Sequence, residues 1–292
     1  MKKLRQVFAE TMHEIGSSDR NMVVMVGDIS HFLLRETEQL APDRFYNIGI
    51  CEQSMVSLAS GMAIEGLKPI LHTISPFLLE RAFEQIKVDI GYQNLEVTLV
   101  TVGGTFDYSD LGCTHHCYGD IALMRLIPEM QIFIPGNEKE LESLFLENWG
   151  NGKPKYFRLS SKSHNQNIKI KTGDITLVRN SNNNKFVFVT GHLLDDVIEI
   201  PNVGILYVPT LSKINSQSVE EINKLLNPKS KLYTVENHSK NGGLGDLISQ
   251  NFNLPVTRIG LDNKFITEYG SIDELREVSG ISKTQIFEKI NE

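Results

Sequence analysis

The sequence has no excess of basic residues, no long apolar run, only three cysteines and a single tryptophan. Each shortage excludes something. A net charge of −7 without a dominant Lys/Arg tract argues against nucleic-acid or membrane-surface binding, both of which need a cationic face. No stretch approaches the ~20 apolar residues of a membrane span, and the first six residues lack the apolar core of a secretion signal. A small, odd number of cysteines fits a reducing compartment better than a disulfide scaffold, so a cytoplasmic location is expected. What remains is a globular composition, 40% hydrophobic and 22% charged, and 292 residues allow one large or two ordinary domains.

Short β-branched runs alternate with helix-period patterns, which predicts an α/β fold with mostly parallel sheets flanked by helices. Strands are expected at 23–26, 45–50, 69–74, 97–102, 131–134 and 156–159, and helices at 3–15, 53–64, 77–88, 121–126 and 138–147. Asn137 followed by Glu140 reads as a capped helix start. From Ser160 to Lys185 the chain turns polar, rich in Asn, Lys and Ser. Two domains are therefore expected, 1–163 and 185–292, joined by a connection over 164–184. The second should contain strands at 186–189, 203–208 and 231–235 and helices at 217–226 and 244–252.

Three clusters could carry chemistry. Asn47-Ile-Gly-Ile-Cys-Glu-Gln53 places Glu52 at a helix mouth directly behind a strand. The positive helix end favours an acid there, and alone it reads as a solvated first-turn charge. Gly112-Cys-Thr-His-His-Cys117 gathers two cysteines and two histidines within five residues, too tightly for an unstrained tetrahedral zinc shell. Asp28 ends the strand Val-Val-Met-Val-Gly, at the strand edge where open α/β sheets bind ligands, although Gly-Asp is also ordinary turn chemistry.

The run Arg44-Phe-Tyr-Asn-Ile-Gly-Ile-Cys-Glu-Gln-Ser-Met55, followed by Ala59-Ser-Gly-Met-Ala-Ile-Glu-Gly66, resembles the pyrimidine-binding domain of transketolase-like thiamine diphosphate enzymes. The likeness extends from Val24-Met-Val-Gly-Asp28 to Val235-Glu-Asn-His-Ser-Lys-Asn-Gly-Gly-Leu-Gly245, where it resembles the transketolase C-terminal domain. The resemblance implies that Glu52 hydrogen-bonds N1′ of the aminopyrimidine and so promotes removal of the thiazolium proton. This needs an apolar setting, for which Ile48, Ile50, Met55 and Val56 are candidates. His115 falls on the histidine of the family's Gly-x-Thr-His-Gln motif and would stabilise the reacting carbonyl; His116 replaces the glutamine. The resemblance makes Asp28, Glu52, Phe77, Leu78 and His115 cofactor-binding candidates. Leu78 stands where an aromatic usually stacks on the pyrimidine, and Phe77 substitutes for it if the helix is rotated. Expected substrate-binding residues are His116, Arg158 and Lys162. The family's phosphate-contacting positions, however, fall on Gly103 and Ser161, and its acid before the motif glycine falls on Leu111.

The family binds the cofactor's diphosphate through Mg2+ on a Gly-Asp-Gly motif with a downstream Asn. Here the Gly-Asp pairs at 27, 119, 173 and 245 are followed by Ile or Leu, so no metal ligand set is expected. The resemblance therefore implies a split enzyme. A partner N-terminal subunit would hold magnesium and diphosphate, in a two-fold heterotetramer that transfers a two-carbon ketol unit between sugars. The alternatives are a 2-oxoacid-decarboxylating ligase resembling 1-deoxyxylulose-5-phosphate synthase, which Arg125-Leu-Ile-Pro-Glu-Met130 also resembles, and a non-catalytic scaffold subunit.

Overall fold

A computed structural model describes residues 2–292. Six strands, β1 (Met22–Val26), β2 (Phe45–Asn47), β3 (Lys68–Ile74), β4 (Thr98–Val102), β5 (Gln131–Phe133) and β6 (Lys155–Arg158), form one sheet in the order β2-β1-β3-β4-β6-β5. Every pairing in it is parallel. β1 and β4 are buried at every position, as apolar strands covered on both faces must be. Alternate residues serve the two faces: Val23 and Met25 pack with Met55, Val56 and Ala59, whereas Val24 and Val26 pack with Phe8, Met12 and Leu144. The helices Glu52–Ile64 and Leu4–Ser18 thus lie on opposite faces of the sheet.

The second sheet contains β7 (Thr176–Arg179), β8 (Lys185–Val189), β9 (Gly204–Tyr207), β10 (Lys231–Ser239) and β11 (Val256–Leu261), in the order β11-β10-β8-β9-β7. Only β7 runs antiparallel, against β9. It falls inside the stretch 164–184 expected as a connection, so part of that stretch belongs to the second sheet. Four half-exposed residues on a sheet edge leave no apolar run to announce a strand. Beyond β11 two short helices, Ile272–Val278 and Lys283–Asn291, each open on a capping box, from Ser271 and Ser282.

Two elements near the strand ends depart from expectation. The strand expected over 45–50 stops at Asn47, because Gly49 adopts φ +74 and turns the chain into the helix that begins at Glu52. No atom crowds Gly49, so the backbone conformation rather than space selects glycine. The helix expected over 77–88 is composite: π-helical turns Pro76–Glu80 and Ile86–Gly91 flank a short α turn, Phe83–Gln85. π turns rotate the residues beyond them relative to a regular helix, and they recur at functional sites.

The turn after β1 is held from below. Asp28 and Ser30 both have positive φ, +58 and +57, which non-glycine residues seldom adopt. Ser30 Oγ lies 2.6 Å from His72 Nε2 and accepts from Arg5 Nε at 2.6 Å; His72 Nδ1 lies 2.9 Å from the Val100 carbonyl. Burial of His72 on β3 lowers its pKa to about 4. The unfolded imidazole titrates near 6.5, so the unfolded chain binds the extra proton between those values. Stability will therefore fall as pH drops from about 6.5 to about 4, by about 3 kcal/mol from this group. Urea titrations across that window should show a shallower pH slope for His72→Gln than for the wild type.

Candidate functional site at the strand carboxyl ends

The residues singled out from the sequence converge on the carboxyl ends of four adjacent parallel strands, where the crevice of an open α/β sheet lies. Asp28 follows β1, Glu52 follows β2, Phe77 follows β3, and the 103–117 loop follows β4. Asp28 is exposed and locked to β2: its N–H donates to Asn47 Oδ1 at 3.1 Å, and Asn47 Nδ2 donates to Asp28 Oδ1 at 3.2 Å. Asn47 Oδ1 also accepts from Gly49 N–H, so one amide ties Asp28 to the turn that delivers Glu52.

Glu52 is only 1% exposed, at the first position of its helix. Arg81 Nη1 donates to its Oε2 at 2.7 Å, and its buried Oε1 has no hydrogen-bond partner. Met55 and Val56 are buried beside it as expected, but Ile50 is 66% exposed. The setting is therefore apolar on the helix side and ionic toward Arg81. An unsatisfied buried acceptor costs about 1–3 kcal/mol, which a donor arriving at Oε1 recovers.

Arg81 extends the cluster. Its guanidinium lies over the Phe77 ring, 4.4 Å from the centroid, and Phe77 meets the His115 ring edge-on at 5.1 Å. Tyr108 also approaches His115, at 6.0 Å. His115 is half-buried, with Nδ1 2.9 Å from the Thr114 hydroxyl. Glu52, Arg81, Phe77 and His115 thus form one contiguous run of contacts across three strand ends.

Four expected site residues lie elsewhere or are engaged. Leu78, one residue from Phe77, is wholly buried among Met55, Val56 and Ala59 and belongs to the core. His116 turns inward against Phe106 at 5.3 Å, its Nε2 3.4 Å from the Ser109 carbonyl, and burial lowers its pKa. Arg158 is 1% exposed and fully engaged: it donates to Asp120 at 2.5 Å, Thr105 at 2.6 Å and Asn237 at 2.9 Å. It ties the first sheet to β10 of the second and is not available to a substrate. Lys162 is half-exposed, but its ammonium is bound to Asp273 at 2.6 Å.

Sequence reasoning overlooked Arg81, Asn47, Tyr108 and Tyr269. Arg81 could have been found from its i, i+4 spacing to Phe77, which brings the two side chains together on one helix face. Tyr269 had no such signal. It arrives from beyond β11 and lies over Gly112, where a Cβ would stand 2.6 Å from the ring. Tyr118 donates to the Lys264 carbonyl at 3.2 Å, so the second unit buttresses the histidine loop at two points. Among the described residues no group of three or more His, Cys, Asp or Glu is arranged to hold a metal ion, and no helix is long and apolar enough to cross a membrane.

Residues 1–166 match the family model of the transketolase pyrimidine binding domain. The chain is 30% identical over 258 residues to the B subunit of apulose-4-phosphate transketolase from Actinobacillus succinogenes, covering 84% of this chain and 83% of that one. Against 1-deoxy-D-xylulose-5-phosphate synthase of Halothermothrix orenii it is 29% identical over 303 residues, or 97% of this chain but 47% of the synthase. It therefore spans about half of that enzyme's length. A solved structure described as a split gene transketolase, inactive beta4 tetramer, shares the fold with a TM-score of 0.84 at 23% identity, covering 99% of this chain and 96% of that one. With the matched segment spanning more than half its length, the chain belongs to the transketolase pyrimidine-binding-domain family.

Proposed function

We propose that this chain is one half of a two-chain thiamine diphosphate enzyme that transfers a two-carbon ketol unit between sugars. The observation that carries the reading is the buried, unpartnered Oε1 of Glu52, aligned with Arg81, Phe77 and His115. A heteroaromatic ring nitrogen able to share a proton satisfies that oxygen. Glu52 holds the proton at this atom, with Arg81 fixing the other carboxyl oxygen. Phe77 offers the apolar face against which the pyrimidine packs, and Asp28 lies near it at the β1 end. Thiamine diphosphate, when bound, supplies the carbon nucleophile for the donor carbonyl. His115 donates to or accepts from the carbonyl and hydroxyl groups of the sugar, a task suited to an imidazole.

The cofactor's charged end is assigned to a partner subunit with a Gly-Asp-Gly…Asn motif, which holds Mg2+. Exposed apolar side chains on the helix Glu52–Ile64, and on and just beyond the neighbouring π turn, support such an assembly: Leu58, Ile64, Val88 and Tyr92, the last 89% exposed. Neither a monomer nor a solvated face gains from exposing them together. We read the complex as a cytoplasmic heterotetramer. A second reading, decarboxylating ligation of a 2-oxoacid, is favoured by the likeness to the synthase.

Mixing the two purified chains with thiamine diphosphate and Mg2+ tests both readings. Ketol transfer from a ketose to an aldehyde is expected from the mixture and from neither chain alone. Release of carbon dioxide from pyruvate, without ketose-dependent transfer, selects the ligase instead.

A further inference from the structure

Beside His115 the crevice has a second wall, built from the loop after β4 and the segment after β6. Its cations are all engaged. Arg158 is bound to Asp120 beneath Gly104 and Lys162 to Asp273; Arg81, which follows β3 and lies outside this wall, is bound to Glu52. Its two serines are engaged as well. The Ser161 N–H and hydroxyl donate to the Asp107 carboxylate at 3.0 and 2.7 Å, and the Ser160 hydroxyl does so at 3.4 Å. Tyr108 fills the remaining space. Its ring lies 2.6 Å from where a Cβ of Gly103 would stand, so the hollow over Gly103 is closed to another group.

We infer that the sugar end meeting this wall carries no phosphate and is recognised through its hydroxyls, an inference that rests on the ketol-transfer reading above. A phosphate ester is an acceptor with negative charge, and it requires fixed positive charge or converging N–H groups. This wall offers the opposite: a carboxylate at Asp107 that already collects three donors, and no cation without a carboxylate partner. An uncharged polyol brings its own hydroxyl donors, which the acceptors at Asp107 and the Tyr108 hydroxyl can take. A phosphate placed here would face the Asp107 carboxylate with like charge, which disfavours it.

The test uses the assembled two-chain enzyme loaded with thiamine diphosphate and Mg2+, with hydroxypyruvate as a common donor. D-glyceraldehyde and D-glyceraldehyde 3-phosphate are compared as acceptors. The expected result is a kcat/KM for D-glyceraldehyde at least about tenfold above that for the phosphate ester. Ser161→Arg, at an exposed position, adds a guanidinium to the wall and should raise use of the ester about tenfold. A wild-type kcat/KM for the phosphate ester that is within about tenfold of, or above, that for D-glyceraldehyde overturns the inference while leaving ketol transfer standing. Turnover of neither acceptor overturns the ketol-transfer reading instead. Phosphorus NMR of inorganic phosphate with the loaded enzyme then decides the wall alone: saturable broadening that Ser161→Arg strengthens refutes it, and absence of broadening upholds it.

Discussion

Glu52→Gln will lower turnover of the assembled enzyme about 10²- to 10⁴-fold while leaving its fold intact. The amide matches the carboxyl in volume, so the packing against Met55 and Val56 is kept. It cannot share an acidic proton at Oε1, the one oxygen of Glu52 that no protein group satisfies. The stability change should be small, within about 1 kcal/mol. Arg81 is 38% exposed and can rehydrate when its anionic partner is removed. Steady-state kinetics on the complex, beside urea unfolding of the lone chain, separate the two effects. Unchanged turnover would leave the chain as a scaffold that has kept a buried acid without using it.

Arg158→Met will have the largest effect on stability, about 3–5 kcal/mol. Asp120 is fully buried, and its Oδ1 has no partner, so the carboxylate depends on what reaches Oδ2. Arg158 and the Tyr156 hydroxyl both do, at 2.5 and 2.8 Å. Removing the guanidinium strands a charge in the interior and releases Asn237 and Thr105 at the junction of the two sheets. Urea unfolding monitored by tryptophan fluorescence measures the shift, since Trp149 lies in the first unit. Replacing Asp120 with Leu in the Arg158→Met background should recover part of the loss, because the stranded charge goes with it. A shift below about 1 kcal/mol would mean that the pair does not lace the units together.

Much of the first sheet was legible. Its three central strands, β1, β3 and β4, contain β-branched residues and are largely buried, so apolar runs alternating with helix-period segments revealed them without tertiary knowledge. The Asn137 cap was legible for the same local reason, and Asn137 Oδ1 does accept from Glu140 N–H at 3.1 Å. Glu52 and His115 could be singled out because the residues around them carry a family pattern. What escaped is what depends on long-range partners. Arg158 reads as a surface cation until Asp120, Thr105 and Asn237 are brought around it from three separate segments. His115 and His116 are indistinguishable in composition, yet the turn from Gly112 sends one ring toward Phe77 and the other toward Phe106. The π turns escaped because helical periodicity does not report an extra residue per turn, although that geometry puts Phe77 at the crevice and Leu78 in the core.

The contact of Tyr269 with Gly112 gives the C-terminal unit a part in the chemistry's surroundings. The tyrosine lies 157 positions along the chain from the glycine it covers, three residues before His115. Gly112 has φ +74, so a side chain there would meet both an unfavourable backbone and the tyrosine ring. A proteolytic nick or an insertion between β11 and the helix at Ile272 would change no crevice residue and still disturb the ring that covers Gly112. Under the proposed function, variation at the far end of the chain can therefore tune how the histidine is presented without altering any group assigned to cofactor or sugar.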